Sequence, residues 1–442
     1  MILTTDLAGI GVGPFNLSLA ALLEPVRDVR ALFLERREQF AWHPEQLLPG
    51  ARLQTSFLKD LVTPVDPTSR HSFLSYLRAR RRFYEFLNAD QTAVLRAEFA
   101  DYLGWVAGRL ASLRFAAPVD TVRLDGDHLR LEGRAGTVET RTLVVGTGKR
   151  PHLPAWANEA AAGTCVHSSS ALSTMPGLRG KRVAVVGGGQ SGAELFLAIA
   201  QGLFGPAAEL AWISRRATFA ALDETHFVNE WFTPGFVERF HALPYLRRRA
   251  LAPLQKLAGD GISSDTLRDI YGHLYERRHV VGDGHTLRLL PAREVTRLRR
   301  DGHGALLEMT SQLDGSVDRL AVDVVVLATG FTGSLPECLA GLSHRFETDP
   351  GGNPVLGLDY RLLWDAPDEV KIFLQNGGEH SHGIADPQLS LMAWRAATIV
   401  NAALGREVYD LAEQAPIVDW QTVDTQRRDR PSVFEARIRR LA

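Results

Sequence analysis

The chain carries two glycine-rich turns of the kind that bind dinucleotide phosphates. The clearer one directly follows the apolar run VAVV, residues 183–186, and opens a pattern of helical spacing. In such a turn the first glycine permits the tight bend, the second lets the backbone approach a pyrophosphate, and the third lets the helix pack closely on the strand. The helix N-terminus then presents free N–H groups to the phosphates. The predicted cofactor-binding residues of this turn are Gly187, Gly189, Gln190, Ser191 and Gly192.

The strand that follows this helix distinguishes between NAD and NADP. It runs from Glu209 and ends in Ser214, Arg215 and Arg216. An acidic residue at this point would accept a hydrogen bond from the ribose 2′-hydroxyl of NAD, whereas arginines suit the 2′-phosphate of NADP. The sequence therefore predicts Arg215 and Arg216 as ligands of NADP. The alternative is that both are ordinary surface arginines.

The other turn lies at the N-terminus and departs from the usual pattern. Pro14 follows its second glycine, and Asn16 stands where the third glycine is expected. The next apolar strand ends in Glu35, at the distance expected of a carboxylate that accepts from ribose hydroxyls. A turn of this kind ahead of a separate NADP turn predicts FAD at the first site and NADPH at the second, with hydride transfer between them. The predicted FAD ligands of this region are Gly11, Gly13, Pro14 and Glu35.

The spacing of these units predicts the fold class and its domains. Each strand–turn–helix unit is followed at a distance by an apolar strand that ends in Thr-Gly, over residues 142–148 and 323–330. We expect an α/β protein with two Rossmann-like nucleotide-binding domains, the NADP domain inserted in the FAD domain. The expected FAD-binding domain is residues 1–165 plus 326–442, and the NADP-binding domain is residues 166–325. Within the latter, residues 222–280 have helical spacing and are interpreted as a mostly helical substrate-binding insertion.

Composition excludes several other classes of protein. The 442 residues carry 50 basic and 51 acidic side chains, so no charge excess points to nucleic acid or a membrane surface. Cys165 and Cys338 are far apart and form no CxxC pair, which argues against a disulfide reductase and a zinc site. No metal site is predicted, and the N-terminus shows neither a signal peptide nor a membrane span. We expect a cytoplasmic enzyme whose reduced flavin reacts with O2.

Longer stretches resemble the N-hydroxylating flavin monooxygenases that act on terminal amines in hydroxamate siderophore biosynthesis, above all the lysine and diamine branch. These stretches are GIGVGPFNLSLAALL, the run from Trp42 to Thr68, VAVVGGGQSGAELF and HSHGIADPQLSLMAWR. The resemblance implies that NADPH reduces FAD and that O2 adds to the flavin C4a carbon as a hydroperoxide. The neutral primary amine of the substrate then attacks the distal oxygen and becomes a hydroxylamine. The resemblance also implies a homo-oligomer, a tetramer.

The same resemblance implies roles for side chains between the two turns. Trp42 and His43 would lie near the flavin, and Gln54 close to its reactive face. Lys59 would contact the substrate, and Asn229 would lie between the substrate and the nicotinamide. Two plainer interpretations stay open: Lys59 is a solvated lysine paired with Asp60, and Asn229 is a cap or turn residue.

The C-terminal stretch supplies the remaining candidates. By resemblance, HGIADPQLS lines the flavin and substrate pocket. Asp386 either binds a substrate ammonium or caps a helix that begins at Pro387, since Asp-Pro is a common helix start. Ser390 is a further substrate candidate. The cofactor candidates of this region are Asn376, Ser381 and Leu389.

The substrate is the least determined feature. Ornithine enzymes of the family commonly show Thr-Asn-Tyr before the helix that begins near Ser264, where this chain has Gly259-Asp-Gly-Ile262. The segment FHALP, residues 240–244, and Asn229 favour a diamine, putrescine or cadaverine, with L-lysine as the alternative. A carbon- or sulfur-oxygenating monooxygenase is less well matched, because its FxGxxxHxxxW-type stretch is missing. A flavin-binding protein without turnover is disfavoured by two intact turns. A diamine has no carboxylate, so Lys59 would then need another partner, such as Asp60.

Overall fold

The computed structural model describes residues 2–91, 93–159, 163–175, 177–301, 304–333, 335–412 and 417–420. Within them the strands are β1 Ile2–Thr4, β2 Leu7–Ile10, β3 Ala31–Leu34, β4 Leu113–Arg114, β5 Thr121–Asp125, β6 His128–Gly133, β7 Gly136–Thr140, β8 Thr142–Val145, β9 Arg150–Pro151, β10 Cys165–His167, β11 Arg182–Val186, β12 Glu209–Ile213, β13 Leu287–Leu290, β14 Arg293–Asp301, β15 Gly304–Ser311, β16 Val317–Val322, β17 Val324–Leu327, β18 Phe331–Thr332 and β19 Lys371–Leu374.

The α-helices are α1 Pro14–Leu23, α2 Phe73–Ala79, α3 Phe83–Asn88, α4 Arg96–Ala107, α5 Ala171–Thr174, α6 Gln190–Ala200, α7 Pro234–His241, α8 Tyr245–Leu251, α9 Lys256–Asp260, α10 Ser264–Glu276, α11 Glu379–His382 and α12 Met392–Leu404. Short 3-10 turns include Pro44–Gln46, Asn229–Phe232, Ala252–Gln255, Glu337–Arg345, Gly383–Ala385 and Leu389–Leu391. No helix in the described part of the chain is long and apolar enough to cross a bilayer.

Two five-stranded parallel sheets form the centre of the molecule. The first has the order β19-β8-β2-β3-β4 and the second the order β10-β17-β11-β12-β13. Each glycine turn follows the middle strand of its sheet, β2 or β11. Strands β2, β8 and β17 are buried at every residue, as expected of parallel strands that are covered on both faces. The predicted fold class, with two Rossmann-like units, is confirmed.

Smaller sheets cover these cores and connect them. Strands β5, β6 and β7 form an antiparallel sheet extended by β1, and β14, β15 and β16 form another. The antiparallel pair β9 and β18 joins the two segments that run between the parallel sheets. The predicted domain boundaries, at 165/166 and 325/326, fall inside β10 and β17, which both belong to the second sheet. The division of the chain into domains stays a prediction.

Helices pack against both parallel sheets, and two of them, α1 and α6, directly follow the glycine turns. Helix α4 buries Phe99, Tyr102 and Val106 in the same apolar core as α1 and α12. Helix α6 buries Leu195 and Phe196 in a separate core against the second sheet. The predicted helical insertion, residues 222–280, contains α7 to α10. The backbone N–H of Ile262 donates to the carbonyl oxygen of Ala220 at 3.1 Å, and Ile262 and Ile270 are buried in the core of the second unit. Both turns are therefore carried by rigid elements.

The second turn rests on a buried tryptophan. Trp212 in β12 is fully buried and stacks between Phe219 and Phe196, with ring centroids 3.8 and 5.2 Å away. Its indole N–H donates to the carbonyl oxygen of Gly187 at 2.9 Å. One side chain therefore supplies apolar packing and also fixes the backbone of the turn.

We expect Trp212→Ala to lower the free energy of unfolding by about 3–5 kcal/mol, because a large buried ring is removed from a packed core. Trp212→Phe keeps one ring but loses the donor to Gly187, and should cost about 1–3 kcal/mol. Urea unfolding followed by circular dichroism measures both losses. Equal losses in the two variants would contradict the packing argument.

Candidate active site

The first turn contains a glycine, Gly11, that tolerates no side chain. Gly11 has a φ of 86°, and a Cβ atom there would lie 2.6 Å from the carbonyl oxygen of Gly146. Helix α1 begins at Pro14, and no side chain caps its N-terminus at Gly13. Proline is suited to a first helical position because its missing N–H would have had no helical partner. The free amides at this end of α1 are therefore open to a phosphate.

Asn16 explains how the first turn works without its third glycine. Its side-chain amide donates to the carbonyl oxygens of Ile10 and Gly11 at 3.1 and 2.7 Å. Its Oδ1 accepts from the side chain of Gln375 at 2.6 Å, and the residue is fully buried. Asn16 thus fixes the turn from inside with bonds that a glycine could not make. The sequence identified the departure but not this role.

Glu35 lies where the sequence predicts it, at the end of β3 and beside the first turn. Its carboxylate accepts from the backbone N–H of Val12 at 2.8 Å and from that of Arg37 at 3.0 Å. A carboxylate beside an uncapped helix N-terminus fits the adenosine end of FAD, whose ribose hydroxyls need acceptors and whose phosphates need donors.

The second turn follows the dinucleotide pattern closely. Gly187 has a φ of 137°, and a Cβ atom there would lie 2.1 Å from the carbonyl oxygen of Ala328. A Cβ at Gly192 would lie 2.1 Å from the carbonyl oxygen of Gly187. Helix α6 starts after Gly189 without a side-chain cap, with Gln190 and Ser191 in its first turn. The geometry fits the pyrophosphate of NADP.

The two arginines predicted for NADP differ in their surroundings. Arg216 donates to the carbonyl oxygens of Gly188 and Asp260, both at 3.1 Å, so it is tied to the turn and to the end of α9. Arg215 is exposed, and no described residue forms a hydrogen bond or an ion pair with its guanidinium. Arg215 is thus the arginine free to meet a 2′-phosphate.

Gln54 and Gln190 bring the two halves of the site together. Gln54 Nε2 donates to Gln190 Oε1 at 3.3 Å and to the carbonyl oxygen of Gly261 at 3.2 Å. Gln190 also accepts from the backbone N–H of Ser263 at 2.8 Å and donates to Thr266 at 3.1 Å. The residue expected at the flavin therefore contacts the NADP turn. A bond across 136 positions of sequence leaves no local pattern.

An ion pair that the sequence did not single out lies behind Gln190. The two terminal guanidinium nitrogens of Arg96, at the start of α4, donate to the carboxylate of Glu194 in α6 at 2.8 and 2.9 Å. Burial raises the pKa of Glu194, although the Arg96 charge opposes this shift. Glu194 interrupts the apolar run GAELFLAIA, and a lone charge in such a run is a signal that a buried partner exists.

Trp42 and His43 directly precede the 3-10 turn Pro44–Gln46, and their ring centroids are 5.4 Å apart. Trp42 packs edge-on against Phe99 with ring centroids 5.6 Å apart. His43 has a left-handed backbone, with a φ of 43°, and is exposed. Desolvation by the surrounding protein, followed by the charges of Arg96 and Arg37, lowers the pKa of His43 to about 4. The imidazole is therefore neutral near pH 7.

Lys59 is not paired with Asp60, and that interpretation is wrong. The Asp60 carboxylate is buried and accepts from the backbone N–H groups of Val62, Thr63 and Phe73 at 2.6 to 2.9 Å. Lys59 is half-buried, and no described residue forms a hydrogen bond or an ion pair with its ammonium group. Burial lowers the pKa of Lys59.

Asn229 occupies the first position of the 3-10 turn Asn229–Phe232 and is exposed. Its side-chain amide donates to the carbonyl oxygen of Glu224 at 3.0 Å. This local bond agrees with the alternative that Asn229 is a turn residue. A role beside the nicotinamide stays a prediction.

The Asp386 carboxylate forms a buried ion pair with Arg395. It accepts from Arg395 Nη1 at 2.8 Å and from the backbone N–H of Gly378 at 3.0 Å, and both members of the ion pair are almost fully buried. The predicted helix start at Pro387 is wrong: helix α12 begins at Met392, after a 3-10 turn. Asp386 therefore caps no helix here, and its partner in this structure is Arg395 rather than a substrate ammonium.

The other residues of the C-terminal stretch lie close to this pair. Ser381 is buried and bonds to the carbonyl oxygen of Gly378 at 3.0 Å and to His382 Nδ1 at 2.8 Å. Asn376 Oδ1 and Ser390 Oγ are buried and have no hydrogen-bond partner in the described protein, and Leu389 is half-buried. Asn376 and Ser390 thus each have one buried polar atom without a partner in the described part of the chain, and their roles at the cofactor and the substrate stay predictions. No three of the described His, Cys, Asp and Glu side chains are grouped so that they could hold a metal ion.

Comparison with known proteins gives this geometry its context. Residues 3–333 match the family model of L-lysine 6-monooxygenase/L-ornithine 5-monooxygenase. The L-lysine N6-monooxygenase of Escherichia coli is 41% identical over 95% of this chain and 99% of its own length. The FAD-bound cadaverine monooxygenase of desferrioxamine biosynthesis from Erwinia amylovora is 30% identical, with a TM-score of 0.89 over 95% of this chain and 99% of that one.

A third relative was solved with both cofactors. The ornithine N-hydroxylase of Kutzneria sp. 744, bound to reduced FAD, NADP+ and L-ornithine, is 31% identical, with a TM-score of 0.85 over 91% of this chain and 99% of that one. The family match, the identities and the two intact dinucleotide turns agree. This chain belongs to the L-lysine 6-monooxygenase/L-ornithine 5-monooxygenase family and is an FAD- and NADPH-dependent N-hydroxylating monooxygenase.

Proposed function

We propose that this enzyme hydroxylates the side-chain amine of L-lysine, with NADPH and O2 as co-substrates, and so supplies N6-hydroxylysine for a hydroxamate siderophore. The observation that carries the choice of amine is the unpaired ammonium group of Lys59. L-lysine and L-ornithine bring a carboxylate and the diamines bring none, and residues 259–262 argue against ornithine.

The argument follows from the cost of burying a charge. A half-buried ammonium without a counter-ion is disfavoured, which is why the pKa of Lys59 is lowered by burial. Asp60, the acid next to it, is committed to backbone amides and cannot compensate. A carboxylate delivered with the substrate restores the balance, so Lys59 favours an α-amino acid.

The protein's contribution to the reaction is positioning. FAD supplies the oxygen-activating chemistry, held at the first turn by Gly11, Gly13 and Glu35. Gln54 and Asn229 are proposed to border the reacting amine, and Lys59 to hold the other end of the substrate. A fixed distance between the two ends selects chain length and keeps the amine aligned. Gly259–Ile262 stands where ornithine enzymes of the family commonly carry an asparagine, and the loss of that amide argues against ornithine as the substrate.

A diamine is the second candidate, because a specific similarity favours it. The cadaverine enzyme from Erwinia amylovora has a TM-score of 0.89 with this chain, and the sequence around Asn229 and FHALP resembles diamine enzymes. In that case Lys59 would meet the cofactor rather than the substrate. The tetramer and the cytoplasmic location stay predictions.

The choice is tested by measuring hydroxylamine formation and NADPH oxidation with L-lysine, cadaverine, putrescine and L-ornithine. We expect kcat/KM for L-lysine to exceed that for cadaverine by at least about tenfold, because an unpaired Lys59 penalises the diamine. A preference for cadaverine or putrescine would establish the second candidate instead. NADPH consumption without hydroxylamine from any of the four amines would overturn both.

We expect Lys59→Ala to raise KM for L-lysine by about tenfold to a hundredfold, the value of one charge-assisted bond. KM for cadaverine should change by less than about threefold, since cadaverine has no group for Lys59 to hold. Steady-state assays with both amines measure the difference. Lys181→Ala is the matched control, because Lys181 precedes β11 at the end of the strand opposite the turn. Equal losses for both amines would place Lys59 at the flavin.

We expect Arg215→Ala to raise KM for NADPH by about tenfold while KM for NADH stays unchanged, because the lost guanidinium is the one free to pair with the 2′-phosphate. Arg216→Ala should weaken both nucleotides, since Arg216 supports the turn through Gly188. Initial rates with each nucleotide at a fixed L-lysine concentration measure this. Equal use of NADH and NADPH by the unaltered enzyme would contradict the assignment of Arg215 to the 2′-phosphate.

A further inference from the structure

The Arg96–Glu194 ion pair joins the two nucleotide-binding units. Arg96 is the first residue of α4, whose apolar face belongs to the core of the first unit. Glu194 lies in α6, which follows the second turn and packs in the core of the second unit. The bond therefore links one rigid helix to another across the site.

The Arg96–Glu194 ion pair is bidentate and mostly buried. Arg96 Nη1 donates to Glu194 Oε2 at 2.8 Å and Arg96 Nη2 donates to Glu194 Oε1 at 2.9 Å. The two side chains are only 14% and 8% exposed. A bidentate pair of this kind fixes orientation as well as distance. Removing one member leaves the other charge buried without compensation.

Glu194 also determines how Gln190 is oriented. Gln190 Nε2 donates to Glu194 Oε1 at 2.8 Å, which leaves Gln190 Oε1 facing Ser263 and Gln54. Gln190 is the first residue of α6, directly after Gly189, so the bonds of its side chain anchor the start of the helix that follows the second turn. Arg96 is thus connected to the NADP turn through two successive hydrogen-bonded side chains.

We propose that Arg96 and Glu194 are positioning residues for the transfer of hydride from NADPH to FAD. They hold the second turn in register with the first half of the site. Neither residue needs to touch a cofactor. The proposal rests on the NADPH-to-FAD step of the enzyme class and is independent of which amine is the substrate.

The test uses Arg96→Met, which removes the charge but keeps the length, and Glu194→Gln, which keeps the shape. We expect the rate of flavin reduction by saturating NADPH, in anaerobic stopped-flow, to fall by about tenfold or more in Arg96→Met, because small misplacements of reacting groups cost that much. Glu194→Gln should lose less. The double variant should be no slower than Arg96→Met, since the two residues act as one unit.

A second measurement does not depend on turnover. Hydrogen–deuterium exchange of the cofactor-free protein should become faster in the first turn of α6 and at Ser263, whose N–H donates to Gln190. Reduction of bound FAD by dithionite should be unaltered, because it bypasses NADPH. Arg293→Gln is the matched control: Arg293 bonds to Asp318 at 2.7 Å between strands of one sheet, and its loss should leave flavin reduction unchanged.

Two outcomes would overturn the proposal. One is a flavin-reduction rate within about twofold of the unaltered enzyme in both single variants with full FAD content. The other is a lower melting temperature with an unchanged reduction rate per bound FAD, which would give the pair a purely structural role. If Arg96→Met fails to fold, Glu194→Gln alone decides between these outcomes. The choice of amine does not enter, so failure here leaves the lysine hypothesis intact.

Discussion

Hydride transfer between two bound dinucleotides requires that two phosphate-binding turns on one chain face each other. In this structure the hydrogen bonds of the Gln190 side chain connect the elements that carry the two turns. Its side chain reaches Gln54 in the first half, Ser263 in the helical region and Glu194 in its own helix. Each parallel sheet places its turn at the carboxyl end of a central strand, which is where ligands bind in open α/β sheets. The helices and smaller sheets hold the carboxyl ends of β2 and β11 in place.

Buried charge organises the site in the same way throughout. Asp60 is satisfied by backbone amides, Asp386 by Arg395, and Glu194 by Arg96. Each carboxylate joins its own segment to another helix, α2 for Asp60, α12 for Asp386 and α4 for Glu194. A buried charge without a partner is too costly to persist. Lys59 differs from these three residues, since its ammonium has no such partner in the described protein. Because the Lys59 ammonium has no partner among the described residues, we use Lys59 to choose an amino acid, which carries a carboxylate, as the proposed substrate.

Several features were predictable because the physics that produces them is local. A glycine is needed wherever a turn has positive φ or a Cβ would strike a carbonyl, as at Gly11 and Gly187. Strands buried on both faces read as continuous apolar runs, as in β8 and β17. Glu35 was predictable from its distance along the chain. The predicted helix start at Pro387 was wrong because Asp386 was needed for a buried ion pair, and tertiary contacts overrode the local Asp-Pro signal.

The sequence by itself determined the two dinucleotide turns, the two Rossmann-like units and the enzyme class, since each depends on neighbours in the chain or on long shared motifs. Only the tertiary structure decided which polar residues meet. It paired Gln54 with Gln190 and Arg96 with Glu194. It bonded Asp60 to backbone amides rather than to Lys59. It also bonded Arg216 to the second turn and left Arg215 without a partner in the described protein. Such pairings depend on how helices and sheets pack, and a hydrogen bond between residues about a hundred positions apart leaves no periodic trace in the sequence.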